Sequence, residues 1–149
     1  MAKATEVSFS KYKILIGDGA TPVEAFTAIC ALTSKGVQRG AQTTSNIRYD
    51  CDNEDAPGYE EKRVTSLSVT ISGAGKVAME NRQDMLDWYY SAEPRNVKIQ
   101  NVDAPNGQTE FEQGPAVLTQ YNETGERNGK MGCDITIEFS EQPTLVAAA

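Results

Sequence analysis

Cys133-Asp134-Ile135-Thr136-Ile137-Glu138-Phe139-Ser140 alternates apolar and polar side chains without a break. Successive side chains of a β-strand point to opposite faces, so this period of two predicts a strand with one buried and one wet face. Working outward, Leu67, Val69 and Ile71 alternate with Ser66, Ser68, Thr70 and Ser72. They predict a strand over 62–73, ended by Gly73-Ala74-Gly75 as the chain turns toward a helix. Val97 and Ile99 mark a strand over 95–101. Phe111 and Ala116-Val117-Leu118 mark another over 109–121, with Gly114-Pro115 as a bend. Pro105-Asn106-Gly107 and the run from Glu123-Thr124-Gly125 to Asn128-Gly129 read as turns. At the front, Phe9, Tyr12, Ile14 and Ile16 predict a strand over 7–17, closed by Gly17-Asp18-Gly19. Behind the last strand, Pro143 and an alanine tail predict a loose arm over 141–149.

A helix is expected at about 80–91. Asn81 is its candidate cap, with Asp84 at the third position. Met85, Trp88 and Tyr89 share one face at i, i+3 and i+4, which suits core packing better than a ligand platform. Pro94 prevents continuation. Residues 21–32 carry two local readings. Thr21-Pro22-Val23-Glu24 looks like a helix start, while Phe26, Ala28, Cys30 and Leu32 alternate as in a strand. Local propensity favours the helix. The sum is a mainly β domain, a β-sandwich or partial barrel with one short helix, and no internal repeat or linker divides residues 1–149.

The longest polar stretch runs over 36–61. Six acids and no base fall between Asp50 and Glu61. A loop this long inside a domain is uncommon and often functional, so it reads as an exposed arm or an extended hairpin. Arg39, Arg48, Lys62 and Arg63 flank it, either as solvated charge or as partners for the acidic arm of a neighbour. Asp50, Asp52, Glu54 and Glu61 echo the ligand spacing of a calcium loop. Asp55 stands where that loop needs glycine, however, Pro57 interrupts it, and no helices flank it. Gly73-Ala74-Gly75-Lys76 lacks the rest of a phosphate-binding loop. Neither motif implies a metal or a cofactor.

Composition narrows function. Histidine is absent, which excludes histidine-based nucleophilic triads, the usual general base and histidine-containing zinc sites. The net charge of −7 is the wrong sign for sequence-independent binding to phosphates. It gives solubility, or a surface that does not hold a passing polyanion, and composition does not choose between them. Only 39% of residues are hydrophobic and the mean hydropathy is −0.48, which suits exposed loops or loops ordered by partners. No apolar run approaches the roughly 20 residues needed to span a membrane. The N-terminal residues lack a signal peptide's apolar run, so a cytoplasmic site of synthesis is expected. The three cysteines leave an odd number, so they cannot all pair within the chain. Cys30 and Cys133 sit in apolar patterns as small core residues. Cys51 sits in the polar stretch as an exposed thiol able to bridge subunits in an oxidising setting.

The order of elements is strand, long polar loop, Ser-rich strand ending in Ser-Gly-x-Gly, short helix and three strands. It resembles the major tail tube proteins of tailed phages, particularly the TP901-1-like group. Ala28-Ile29-Cys30-Ala31-Leu32-Thr33-Ser34 resembles the family's "aGLts" segment, with Ala31 where glycine is common. Ile47-Arg48-Tyr49-Asp50-Cys51-Asp52 resembles a "vdvTd" stretch that precedes an acidic loop. Ser68-Val69-Thr70-Ile71-Ser72-Gly73-Ala74-Gly75 resembles the strand closing that loop, and Gly125-Glu126-Arg127-Asn128-Gly129 the final hairpin. The likeness covers roughly 8–140, and its order and spacing carry it.

The resemblance implies a structural subunit of a virion tail, assembled in the host cytoplasm and without catalysis. Hexameric rings would stack into a conduit for DNA, which passes without specific binding. A stacking loop at about 40–62 would carry Arg39, Thr44, Ile47, Arg48, Tyr49, Asp50, Cys51, Asp52, Glu54, Tyr59 and Arg63. N- and C-terminal arms would add contacts, and Cys51 is a candidate inter-ring disulfide. Other partners would be tape-measure, baseplate or tail-terminator proteins and a sheath. The resemblance also makes 23–32 a strand and turn, overriding the local helix. A rival class is a β-sandwich binding module, an adhesin or carbohydrate binder, with Trp88 and the tyrosines as surface platforms. A carboxylate-based hydrolase has only the acidic stretch in its favour.

Overall fold

The structure, a computed structural model, describes residues 3–19, 24–29 and 32–149. A 3₁₀ turn (Phe9–Lys11) leads into β1 (Tyr12–Gly17), β2 (Phe26–Ala28), β3 (Leu32–Arg48) and β4 (Tyr59–Lys76). Helix α1 (Met79–Ser91) follows, then β5 (Arg95–Asn101), β6 (Thr109–Thr124), β7 (Gly132–Phe139) and β8 (Thr144–Ala147). Among the described residues these strands form one eight-stranded antiparallel sheet, in the order β2-β1-β5-β6-β7-β4-β3, with β8 also paired to β6. The sheet curls without closing into a barrel. From β3, Lys35 Nζ donates to the Tyr12 carbonyl on β1 at 2.8 Å, although the two strands lie near opposite edges of the sheet.

The alternation read from the sequence builds the core. Register places Ile14 beside Ile99 and Ile16 beside Val97. It also places Ile71, Ile137 and Leu118 side by side across β4, β7 and β6. These residues are buried together with Ile135, Ala116, Met85 and Trp88. Trp88 is 1% exposed, and its indole N–H donates to the Glu93 carbonyl at 3.0 Å, so its polar edge is not orphaned. Truncating such a side chain costs about 3–5 kcal/mol.

Several boundaries differ from expectation, each for a local reason. The first strand starts at Tyr12, not at residue 7, because Lys11 N–H closes a turn on Ser8 O at 3.0 Å. Helix α1 starts at Met79, not at Asn81. Ala78 is its N-cap and supplies no side-chain acceptor, while Asn81 lies inside the first turn and donates to Ala28 O at 3.4 Å. Tyr89 does not share the buried face of Met85 and Trp88. It is 46% exposed and stacks edge-on against Tyr90.

The strand reading of 23–32 holds at Phe26–Ala28. Thr21, Pro22, Val23, Cys30 and Ala31 lie outside the described residues. Gly73-Ala74-Gly75 does not end its strand. β4 runs to Lys76, and a Cβ on Gly73 would meet Leu32 Cδ1 at 3.3 Å, so the small residues permit close packing in mid-sheet.

Gly114-Pro115 makes no bend either. The Pro115 carbonyl accepts from Ser140 N–H at 2.9 Å, so its missing N–H faces the same edge, where β7 has ended and β8 has not begun. Gly114 is buried, and an added Cβ would meet Pro143 Cα at 3.1 Å. Finally, 141–149 is not a loose arm. Thr144–Ala147 pairs with Thr109–Gln113 as β8, continuing the path of β7 along β6.

Candidate assembly arm

The expected stacking loop over 40–62 is a β-hairpin, and only the Tyr49–Gly58 connection is without strand. β3 and β4 pair from Leu32 opposite Gly75 to Arg48 opposite Tyr59, with register shifts between Leu32 and Ser34 and between Gln42 and Thr43, where Thr65 Oγ1 donates to Gln42 O at 3.1 Å. From Ala41 to Ser68 every residue except Ala56 and Gly58 is exposed. The ribbon therefore stands clear of the body on both faces. At about 3.4 Å per residue, the eight residues Ala41–Arg48 carry it about 27 Å. An isolated two-stranded ribbon is marginal in water, and this one also exposes Ile47, Tyr49, Tyr59, Val64 and Leu67.

The tip is locally ordered. Asp50 Oδ1 accepts from Asp52 N–H at 2.9 Å, and Ala56 N–H donates to Asn53 O at 3.2 Å. Gly58 is required by close approach, since a Cβ there would meet Ile47 Cγ2 at 2.5 Å and Tyr49 Cε1 at 3.0 Å. Arg48 pairs with Glu61 at 2.6 Å, but the two side chains are 73% and 53% exposed, so the pair contributes little. Thr44 stands opposite Arg63. Neither Arg63 nor Lys62 has an ion pair among the described residues. Cys51 is exposed and unpaired, and Glu54 is exposed beside it. Cys133 is buried, as its apolar pattern predicts.

Arg39 does not belong to the tip. It reaches across the curled sheet to Glu112 on β6, and sequence reasoning missed that partner because the two are 73 residues apart. Only tertiary curvature joins them. Above this pair, an open groove of about 770 Å³ separates the base of the ribbon from the C-terminal segment, lined among others by Val64, Leu67, Val69, Phe139, Pro143 and Leu145. The groove exists because β7 pairs β4 only as far as Thr70, leaving the outer edge of Tyr59–Val69 without a strand.

The opposite face of the sheet is different. Gly36, Gln38, Gly40 and Gln42 stand opposite Ser72, Thr70, Ser68 and Ser66. Along β3 and β4 this surface is small, polar and uncharged, and on β7 it continues with Thr136 beside Ser72 and the carboxylate of Glu138 beside Thr70. A Cβ at Gly36 would meet Ser72 Oγ at 3.0 Å, which keeps the row shallow.

The rival binding-module reading needs Trp88 at the surface, and the structure buries it. Comparison by sequence decides the family, since the profile described as "Phage tail tube protein" matches residues 7–144. The chain belongs to the phage tail tube protein family. It is a tail tube structural subunit. Comparison with curated protein sequences gives no match.

The tail tube fold recurs among solved structures. A chain from the tail of an empty gene transfer agent particle, refined with C6 symmetry, superposes with a TM-score of 0.76 at 17% identity, covering 94% of this chain and 98% of that one. The SPP1 tail tube gives a TM-score of 0.66 at 10% identity, covering 96% and 81%. A sheath–tube complex of an extracellular contractile injection system gives 0.62 at 15% identity, covering 96% and 93%. Among the described residues, no helix is long and apolar enough to cross a membrane.

Proposed function

We propose that this tail tube subunit closes into hexameric rings that stack head to tail, with the β3–β4 ribbon as the element that reaches from one ring to the next. The observation that carries the reading is the ribbon itself: long, regularly paired, exposed on both faces and bearing apolar side chains with no partner in its own chain. Such a surface is an aggregation hazard unless another copy covers it. Head-to-tail contacts of this kind generate open filaments.

The whole chain acts as one tail tube unit, with the N-terminal residues before Phe9 as a further contact arm. The uncharged Ser/Thr/Gln face over Ser66–Ser72 suits the bore, because a lysine-lined wall would hold phosphates and slow the passage of DNA. Tail-terminator, baseplate, tape-measure and sheath proteins are the expected partners, the last suggested by the tube's company in the contractile neighbour. Assembly takes place in the host cytoplasm and the product resides in the virion tail. The role is structural and involves no catalytic step.

Replacing Thr43–Thr65 by Asn-Gly tests the reading. It keeps Gln42 opposite Ser66 and supplies a favoured two-residue turn. The shortened chain folds with unchanged emission from the buried Trp88 but forms no tubes in negative stain, whereas the intact chain does. Wild-type tube yield from the shortened chain overturns the assignment. Within the same arm we propose that, once particles meet an oxidising medium, the thiol of Cys51 and a thiol of a neighbouring ring give up two protons and two electrons to dissolved dioxygen and form an inter-ring disulfide. Dimers on non-reducing gels of assembled tubes support this, and monomer alone refutes it.

A further inference from the structure

One surface of the body complements the arm. Lys11 and Lys13 flank Tyr12, where β1 begins, and Lys13 stands opposite Gln100 on β5. Lys98, two residues along β5, stands opposite Leu15 and so shares a face with Lys13 as a diagonal neighbour. The Lys98 ammonium sits 4.1 Å from the centre of the Phe26 ring and 4.5 Å from that of Phe111. Lys35 supports the same end from inside, donating to Phe9 O and Tyr12 O and lying over the Phe9 ring. Its pKa is lowered, first by burial and then by the Lys13 charge. Among the described residues all four ion pairs use arginine, so no lysine of this face has a carboxylate partner. One acid nearby, Glu110, accepts from Gln100 at 3.3 Å.

The arm tip carries the converse. Asp50, Asp52, Glu54, Asp55 and Glu60 have no ion pair among the described residues, and Tyr49 and Tyr59 are 70% and 85% exposed beside them. Acids and tyrosines on one surface match lysines, Phe9 and Phe26 on the other. The tip projects away from its own body, so the match is met between copies.

We propose that the acidic tip of the β3–β4 arm docks on the Lys11–Lys13–Lys98 face of a second copy of this chain. The proposal rests on the tube reading and names the surface that receives the arm. Charge pairs of this kind set register and orientation and reject a reversed subunit.

Charge exchange tests it with the full chain. Lys11→Glu with Lys13→Glu, and separately Asp50→Lys with Asp52→Lys, alter exposed side chains and leave the melting curve of the dilute subunit unchanged. Each pair raises the protein concentration at which tubes pellet by about tenfold. The four changes together bring that concentration back to within about threefold of wild type. Raising salt from about 0.1 to about 1 M, which shortens the screening length from about 10 to about 3 Å, raises it for wild type. Either charge-reversed pair assembling at the wild-type concentration, or a four-fold variant no better than the pairs, overturns the docking. Wild-type protein that forms no tubes in either salt overturns the tube reading itself, a result distinct from both.

Discussion

Cys133 shows how one alternating residue acquires a measurable property from its place. It lies at the buried end of β7, and burial, followed by the charges of Asp134 and Glu123, pushes its thiol pKa above the ordinary 9.0. A proton held more tightly in the folded state stabilises the fold fully below pH 9.0, and that stability is lost as pH rises through the higher folded value. Tyr121 shifts the same way from 10.0, mainly by burial, while Lys35 shifts downward. Cys133→Val isolates the thiol from both. In urea unfolding, the stability difference between wild type and Cys133→Val moves against wild type between about pH 8 and about pH 10. A difference that does not change with pH shows that the thiol is not shifted. The strict alternation of 133–140 placed Cys133 inside from sequence alone. The cost of ionising it there depends on neighbours that alternation does not reveal.

At the scale of elements, the ribbon and the C-terminal segment teach opposite lessons. The polar composition of 36–61 signalled exposure correctly from Ala41 on, while Gly36, Val37 and Gly40 are half-buried at the base of the ribbon. It allowed an extended hairpin but did not choose it over an unpaired arm, because Ser, Thr, Gln and Gly stretches have weak intrinsic preference and take their structure from a partner strand. Likewise Thr144–Ala147 looks featureless, and becomes β8 only because β6 extends beyond the end of β7 and offers an unpaired edge. Arg39 and Glu112 tie β3 to β6 across the curl. Their side chains are 50% and 15% exposed, so solvent screens the pair and its coupling is modest. A double-mutant cycle with Arg39→Ala and Glu112→Ala gives a coupling of about 0.5–1 kcal/mol. Zero coupling would show that the Arg39–Glu112 pair does not help to hold the curl.

At the scale of the whole fold, among the described residues the sheet leaves open edges at β2 and β3 and along the outer side of β4 beyond Thr70. A lone subunit therefore carries unpaired backbone and exposed side chains such as Leu67, which is 72% exposed. Covering them in an assembly stabilises the folded state by mass action. The thermal midpoint rises with protein concentration across the range in which tubes appear, and the variant lacking Thr43–Thr65 shows a midpoint independent of concentration. Equal concentration dependence in both would place the stabilising contacts elsewhere.

By itself the sequence determined the β class, the inward faces of β1, β5 and β7, the inward Ile71 of β4, the one short helix and the exposure of most of 41–62, whereas Leu67, read as inward, is 72% exposed because β7 stops short of it. Each follows from local period and polarity, which a single segment carries. Only the tertiary structure decided that Gly73 sits under Leu32 rather than ending its strand, that Gly114 sits under Pro143 without a bend, that Tyr89 stands outside the core that Trp88 enters, and that Arg39 meets Glu112. It also decided that Lys11, Lys13 and Lys98 gather on one face. These depend on which distant segments the curled sheet brings together. Residues far apart in the chain meet there through strand register and curvature, and neither is written in the period of any one segment.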